Sequence, residues 1–218
     1  MLRFRNHLVR QAVRMKNKIA TLLMETGTPY SKNKLHGPVY FNQLMDRLED
    51  MPDFVLDMLS MSRTGLDLFT KMQKQLVQAL RHNKHIRERV ERLMTIPGVG
   101  ELVALTWVLE VGDPNRFPSL RKAVSYCGLT SPQKESAGKN QRGPISKKRN
   151  KHLQTMLVEA SKLAPRWNPQ LAIIHERELA RGSRNRATLA VARKMTAYLL
   201  AVDKSRKNFE LRQAEAVA

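Results

Sequence analysis

Apolar residues recur at the period of an α-helix along most of this sequence, and no convincing run alternates apolar and polar residues as a β-strand does. The first helical pattern covers residues 2–25, where Lys and Arg lie between the apolar positions. Gly27, Thr28 and Pro29 end it. A second helical region spans residues 41–61, with a break or a new start at Pro52. These patterns predict an all-α fold.

A third helical region runs from residue 63 to residue 94 and has two interpretations. Its apolar stripe lies among many charges and consists of Leu66, Phe69, Leu76, Leu80, Ile86, Val90 and Leu93. Polar Gln73 and Asn83 interrupt the stripe at heptad-like positions, as in a coiled coil. A helical hairpin packed on the same chain explains the stripe equally well. Residues 1–94 are therefore expected to form a region of long helices, either a linker or a coiled coil.

The segment TIPGVGELVALTWVLEVGD begins a region of different composition at Thr95. Pro97, Gly98 and Gly100 form a tight turn before an apolar helix, which is the pattern of a helix-hairpin-helix. Glycines let the backbone approach a phosphate closely, and the N–H groups that begin the next helix point toward it. The turn therefore predicts nucleic-acid contacts at Gly98 and Gly100. The alternative is an ordinary turn between two helices.

Shorter helices follow toward the C-terminus. Gly112 lies just past the apolar helix, where a C-cap glycine belongs, and Gly128 closes a helix over residues 119–128. Asn150 is placed to cap the next helix, and two more helices cover residues 170–181 and 186–203. The expected organisation has three parts: the helical region 1–94, a compact C-terminal domain over 95–204, and a polar tail over 205–218 that frays.

The chain carries 39 Lys and Arg against 19 Asp and Glu, a net charge of +20. Such a charge is typical of proteins that bind a polyanion, so DNA or RNA is the expected partner. No apolar run approaches the roughly 18 residues of a membrane-spanning helix, and the N-terminus lacks the pattern of a signal peptide. Cys127 is the lone cysteine, and no Cys/His spacing indicates zinc. We expect a cytoplasmic, nucleoid-associated protein.

The most basic segment lies between Ser131 and Leu153, with seven Lys and Arg against one Glu from Lys134 to Lys151. A serine attacks a phosphate only when its proton is removed and the developing charge is stabilised. The cationic residues that could meet part of this need are Lys134, Lys139, Arg142, Lys147 and Lys148. Spacing alone does not choose between Ser131, Ser136 and Ser146, and His152 is either a base or a helix-surface residue. The alternative is a solvated, flexible connector.

Four short motifs follow one another between residues 112 and 150. They are GD-x-x-RF at Gly112, Asp113, Arg116 and Phe117; Y-x-G-L at Tyr126, Gly128 and Leu129; P-x(3)-S-x-G at Pro132, Ser136 and Gly138; and G-x-I-S-K-x-x-N at Gly143, Ile145, Ser146, Lys147 and Asn150. In this order they resemble the C-terminal domain of a family of bacterial insertion-sequence transposases. Members of that family join an N-terminal DEDD (RuvC-like) nuclease domain through a coiled coil to a domain with a catalytic serine.

The resemblance implies that Ser136 is the nucleophile, which in that family attacks a DNA phosphate and forms a transient phosphoserine link. It also implies two partners, a structured guide RNA (the bridge RNA of the element) and a second protomer. In the family, carboxylates and divalent metal from one protomer's nuclease-like domain meet the serine of another. Nothing before residue 60 resembles such a domain. Mg²⁺ is therefore expected only with a nuclease-like chain that complements this one, and no metal site is expected in this chain.

Two functions of different classes fit these observations. The first is a DNA-binding fragment of a transposase or recombinase, which is incomplete as an enzyme on its own. The second is a non-enzymatic nucleic-acid-binding module or an inactive transposase remnant. Both predict binding that weakens steeply with salt. They differ on Ser136, because its replacement should abolish covalent capture of DNA only if the first is correct.

Overall fold

The computed structural model describes residues 1–48, 51–131, 133–136, 139–142, 145 and 149–211. Within these ranges nine α-helices carry most of the chain, which confirms the all-α prediction. The helices are α1 (Leu2–Glu25), α2 (Pro38–Met45), α3 (Asp53–Arg81), α4 (Lys84–Met94), α5 (Glu101–Val111), α6 (Leu120–Tyr126), α7 (Lys151–Ser161), α8 (Pro169–Ala180) and α9 (Arg184–Ser205). Two 3₁₀ turns occur at Pro114–Arg116 and Ala164–Arg166. The chain folds as two units, Met1–Leu80 and Arg81–Ala218.

Helices α1, α2 and α3 share the core of the first unit. The buried side chains of this core are Ala12, Ile19, Leu22, Leu23, Leu35, Phe41, Leu44, Leu48, Val55, Leu59 and Leu66. The loop between α1 and α2 contributes Leu35, which is fully buried. The Ser31 N–H donates to the hydroxyl of Tyr40 at 2.8 Å and so fixes this loop against α2. Pro38 begins α2, where its fixed φ suits the first helical turn.

Residues 63–94, expected as one helical region, belong to two helices. Helix α3 ends at Arg81, and α4 begins after Asn83. The Asn83 Oδ1 accepts a hydrogen bond from the His85 N–H at 3.0 Å, so this polar residue in the apolar stripe caps a new helix. The break at Pro52 is confirmed, because α3 begins at the next residue. Helix α4 packs against α5 and α9 and lies in the second unit.

Helices α5 and α9 form the centre of the second unit. Helix α5 is buried on several sides, through Val103, Ala104, Leu105, Thr106, Trp107, Val108 and Val111. It packs against α4 and α7, while α9 packs against α4, α6, α7 and α8. A helix that is apolar on most of its surface has to lie inside a domain. Gly112 ends α5 and Gly128 ends α6, both with positive φ, as their C-terminal positions in the sequence predicted.

One buried carboxylate joins three helices of the second unit. Asp203, near the end of α9, has a side chain only 2% exposed. It accepts two hydrogen bonds of 2.6 Å from the guanidinium of Arg89 in α4. It also accepts a bond of 2.7 Å from the indole N–H of Trp107 in α5. Because these donors satisfy the carboxylate, its burial is tolerated, and its position fixes α4 and α5 relative to α9.

Two further expectations change in the second unit. The basic segment contains a two-stranded antiparallel hairpin, β1 (Gln133–Ser136) and β2 (Lys139–Arg142), where a loop was expected. The tail is fixed at its start. The Arg206 carbonyl accepts from Arg92 Nη1 at 2.8 Å, and the Phe209 N–H donates to Thr95 Oγ1 at 2.8 Å. The tail therefore does not fray directly after α9, because contacts from α4 and the residue that follows it hold its first residues.

No helix among the residues that the structure describes is both long enough and apolar enough to cross a lipid bilayer.

We expect Asp203→Asn to lower the free energy of unfolding of the second unit by about 3 kcal/mol, because the substitution leaves Arg89 without its anionic partner in a buried setting. The measurement is urea unfolding followed by tryptophan fluorescence, since both tryptophans, Trp107 and Trp167, lie in this unit. The matched control is Glu159→Gln, which removes an exposed ion pair with Lys162 and should change stability by roughly 0.5 kcal/mol or less. Equal effects of the two substitutions would contradict the prediction.

Candidate nucleic-acid interface and serine hairpin

Ser136 lies at the end of the first strand of the hairpin in the basic segment. Strand β1 pairs with β2 in a register that sets Ser136 opposite Lys139 and Gln133 opposite Arg142. Lys134 pairs with Gln141 in the same register. Lys147 and Lys148, the remaining cations predicted at this site, lie outside the described residues.

The helical core holds the segment that leads into the hairpin. Leu129 is fully buried, and its carbonyl accepts a hydrogen bond from Arg193 Nε in α9 at 2.7 Å. The preceding carbonyl, of Gly128, accepts from Gln154 Nε2 in α7 at 2.6 Å. Burial lowers the pKa of Arg193 from its usual value. The first strand thus starts from a fixed point on α7 and α9.

The segment that leaves the hairpin is held beside the one that enters it. Gly128 has φ of +69°, and a Cβ there would lie 2.5 Å from the Cβ of Arg149. Only glycine fits this position without moving Arg149, because the backbone is left-handed and the neighbour is too close. The chain therefore enters and leaves the hairpin segment at neighbouring points, next to the C-terminal end of α6.

Asn150 joins the outgoing end to two helices. Its Oδ1 caps α7 by accepting from the N–H groups of His152 and Leu153 at 3.0 and 3.1 Å. Its backbone N–H donates to the Tyr126 carbonyl at 2.9 Å, and its Nδ2 donates to Glu110 Oε2 at 2.7 Å. The predicted N-cap is confirmed, and the same side chain also binds α5. His152 is half-buried in the first turn of α7.

A hydrogen bond and a stacked guanidinium hold Tyr126 in this network. The Tyr126 hydroxyl donates to the Glu110 carbonyl at 2.9 Å. The guanidinium of Arg116 lies 4.4 Å from the centre of the Tyr126 ring and 4.8 Å from that of Phe117. We call Glu110, Arg116, Tyr126, Gly128 and Asn150 the hairpin frame. Four of these five residues lie in motifs that the sequence singled out.

Sequence reasoning missed Glu110 and Arg193. Glu110 is the one acidic residue in the last turn of α5, in an otherwise apolar run. Arg193 is a cation in the apolar stretch ATLAVARKM. The available signal was a charged residue at a position that helical periodicity places near the core. Such a residue is buried only with a partner, so its position indicates a polar contact.

The glycines of the predicted helix-hairpin-helix have different surroundings. Gly98 has φ of +91°, and a Cβ there would lie 2.8 Å from the Cβ of Ala164. Its conformation is explained by packing inside the protein. Gly100 is exposed and caps α5, and a Cβ added to it would meet no atom within 4 Å. Glu101 follows in the first turn and lies 3.6 Å from Arg81 Nε. The phosphate contacts of Gly98 and Gly100 stay predictions.

Among the residues that the structure describes, no group of three or more His, Cys, Asp or Glu side chains could hold a metal ion. The lone Cys127 is buried, and burial raises the pKa of its thiol to about 12. At neutral pH it therefore stays protonated and is a poor nucleophile or metal ligand.

Known proteins resemble the part of the chain that contains the hairpin frame. Residues 90–176 match the model of the transposase family IS116/IS110/IS902. The transposase for insertion sequence element IS1328 of Yersinia enterocolitica is 25% identical over 163 residues, which cover 74% of this chain and 48% of that protein. The transposase for insertion sequence element IS1111A of Coxiella burnetii is 32% identical over 111 residues, covering 49% of this chain and 30% of its own.

The residues that match the family model lie within the second unit. The chain spans about half the length of the Yersinia relative. The matched residues include the hairpin and every residue of its frame. They end before α9, which contributes Arg193 and Asp203 to the same unit.

We expect Gly98→Ala to destabilise the second unit by about 3 kcal/mol, because a side chain there combines a left-handed backbone with overlap against Ala164. Gly100→Ala should leave stability nearly unchanged, because its φ is −88° and the space is open. Both are measured by urea unfolding, and DNA binding is measured in parallel. A Gly100→Ala variant that binds DNA as well as the original chain would remove this glycine from the predicted interface.

Proposed function

We propose that this chain is the serine-bearing part of a DNA transposase, with Ser136 as the nucleophile. The observation that carries the proposal is the register of the hairpin, which sets Ser136 opposite Lys139 within the segment that resembles transposases. Lys134 lies two residues before Ser136 in the same strand. Cations beside a nucleophile offset the negative charge of a phosphodiester as it is attacked. The fixed ends of the hairpin support this function, since a nucleophile needs a defined position.

In the proposed reaction, Ser136 Oγ forms a bond to phosphorus while the bond from phosphorus to one sugar oxygen breaks. The serine loses its proton to a base, and the released sugar oxygen takes up a proton to become a hydroxyl. The product is a phosphoserine link that keeps the energy of the phosphodiester, so the strand can be joined again. Mg²⁺ and the carboxylates that hold it would come from a nuclease-like domain.

DNA and a structured guide RNA are the proposed partners of the basic surface. The net charge of +20 supports a polyanionic partner of either kind. A salt series distinguishes such binding from apolar association, because only phosphate contacts weaken linearly in log–log form.

The adduct experiment tests the serine. A suicide DNA substrate carrying the element's junction is mixed with guide RNA, Mg²⁺, a separate nuclease-like domain and this chain. We expect a protein–DNA adduct that survives a denaturing gel and disappears with Ser136→Ala. Ser131→Ala is the matched control, because Ser131 is exposed just before the hairpin and should leave the adduct intact. Salt-sensitive DNA binding without any adduct would instead indicate a non-enzymatic binding module.

A second copy of this chain is the proposed protein partner of α3. One face of α3 buries Val55 and Leu59 in the core of the first unit. On another face Phe54, Met61 and Leu68 are 64%, 71% and 52% exposed, although all three are large and apolar. They are spaced seven residues apart, which is the repeat that brings apolar residues together in a coiled coil. We name these three residues the α3 seam.

We expect Leu68→Glu to shift the chain from dimer to monomer in sedimentation velocity, because a charge in the α3 seam would be buried by the second copy. Leu163→Glu is the control, since Leu163 is 53% exposed and stands outside any heptad pattern. A chain that is monomeric without either substitution would contradict the proposed self-association.

A further inference from the structure

A cleft of about 500 Å³ lies in the second unit between α4, the segment 112–115 and the end of α9. Five cationic residues and three carboxylates line it, namely Lys84, Arg89, Arg92, Lys204, Arg206, Glu88, Asp113 and Asp203. Its walls are mainly polar, so a base or an apolar side chain would find little surface to bury against. We call it the cationic cleft.

Part of this charge is used within the protein. Arg89 pairs with Asp203, while Arg92 donates to Glu88 Oε1 at 3.2 Å and to the Arg206 carbonyl. Asp113 accepts from the Asn115 N–H at 2.9 Å. These contacts fix the walls of the cationic cleft and neutralise two of its carboxylates with two of its guanidinium groups.

The remaining charge is mostly positive. Lys204 Nζ donates one bond of 2.7 Å, to the Phe117 carbonyl, and carries further N–H groups. The side chains of Lys84 and Arg206 form no hydrogen bond or ion pair with any other described residue. Three cations, Lys84, Lys204 and Arg206, therefore remain beside one carboxylate, that of Asp113, which already accepts a backbone hydrogen bond. This excess of positive charge suits the binding of an anion.

The backbone of Arg206 gives an independent reason to assign a role to its side chain. Arg206 has φ of +55° directly after α9, and in the described part of the chain it is the one residue other than glycine with positive φ. Helices usually place glycine at this position, because a side chain is strained there. An arginine at a position that favours glycine lowers the stability of the fold. A ligand bound by its guanidinium would explain why this position carries an arginine.

We infer that the cationic cleft binds a phosphate of a nucleic-acid backbone, at a contact separate from the serine hairpin. The inference rests on the proposed function for the identity of the polyanion. A phosphodiester suits the site because it presents several oxygens to Lys84, Lys204 and Arg206 and needs no apolar pocket. Such a contact reads no bases; it positions the strand.

The cationic cleft and the hairpin frame share one segment of chain. Residues 112–115 line the cleft and continue into Arg116 and Phe117. Arg116 stacks on Tyr126 of the frame, and the Phe117 carbonyl receives Lys204 from the cleft. A backbone phosphate in the cleft is therefore held by the same element that supports the hairpin. The contact would set the position of the strand relative to Ser136 through rigid packing.

Trp107 supplies a local readout for this site. Its indole N–H donates to Asp203, which lines the cationic cleft, so an anion that binds beside Arg89 should change its emission. Trp167 is 70% exposed and can be removed with Trp167→Phe, leaving Trp107 as the single reporter. The probe is an oligomer of abasic deoxyribose phosphates, which carries the backbone without bases. A methylphosphonate oligomer of equal length is the uncharged control.

We expect saturable change of Trp107 emission with the abasic phosphate oligomer and none with the methylphosphonate. Lys84→Gln and Arg206→Gly should each raise its Kd about tenfold and lower the slope of log K against log salt by about 1. Lys71→Gln is the matched control, since it removes one charge from an exposed position in α3. Arg206→Gly should not lower the Tm, because glycine suits the left-handed backbone.

Three results would overturn the inference. They are an unchanged Trp107 emission, equal losses of affinity in Arg206→Gly and Lys71→Gln, or displacement of the oligomer by polyglutamate at equal charge. The serine proposal fails separately. If the unsubstituted chain forms no DNA adduct but Trp107 emission still responds to the oligomer, only the serine chemistry is contradicted. If the adduct forms and Trp107 emission does not respond, only the cationic cleft is contradicted.

Discussion

The second unit depends on the carboxylate of Asp203. A buried carboxylate without donors would be strongly unfavourable, and this one is stabilised only where Arg89 and Trp107 reach it together. Helix α9 is far in sequence from α4 and α5, so a single acidic residue of α9 selects one arrangement among the ways in which these three helices could pack. Helix α9 in turn contacts α6, α7 and α8, which extends this arrangement to the rest of the unit.

Polar contacts rather than apolar packing set the position of the serine hairpin. The buried core ends at Leu129, and beyond it the chain is held by Arg193, Gln154 and Asn150. Directional bonds of this kind fix orientation more closely than apolar contacts do. The second unit also extends beyond the residues that match the family model, because Arg193 lies in α9, beyond residue 176. A shortened chain that ends with the matched residues would lose this support and that of Asp203.

The sequence predicted helices well where periodicity and caps agree. Residues 2–25, the glycines after α5 and α6 and the N-cap at Asn150 were all recognised, because each depends on local geometry. The break at Asn83 was misread, because an asparagine within an apolar stripe fits a heptad position as well as a cap. The hairpin was missed because its strands are polar and do not alternate. The choice of Ser136 came from resemblance, since spacing left three serines equal.

The long-range polar pairs were beyond reach of the sequence. Arg89 and Asp203 are more than a hundred positions apart, and nothing local indicates that either is buried. Asn150 and Glu110 are 40 positions apart, and nothing local in the sequence indicates their contact either. Periodicity indicates which face of a helix is apolar, but it does not indicate which distant helix satisfies a charge on that face. The cationic cleft forms where α4, residues 112–115 and the end of α9 meet, and this meeting of distant segments had no signature in the sequence.

The close contact of Gly128 with Arg149 has a consequence for how this protein can change over time. The chain between these residues leaves the helical core and returns to it at almost the same point. Lengthening, shortening or replacing that stretch does not alter the distance that the core has to bridge. The segment that bears the serine can therefore change in length and sequence independently of the helices, whose residues are constrained by their packing in the core.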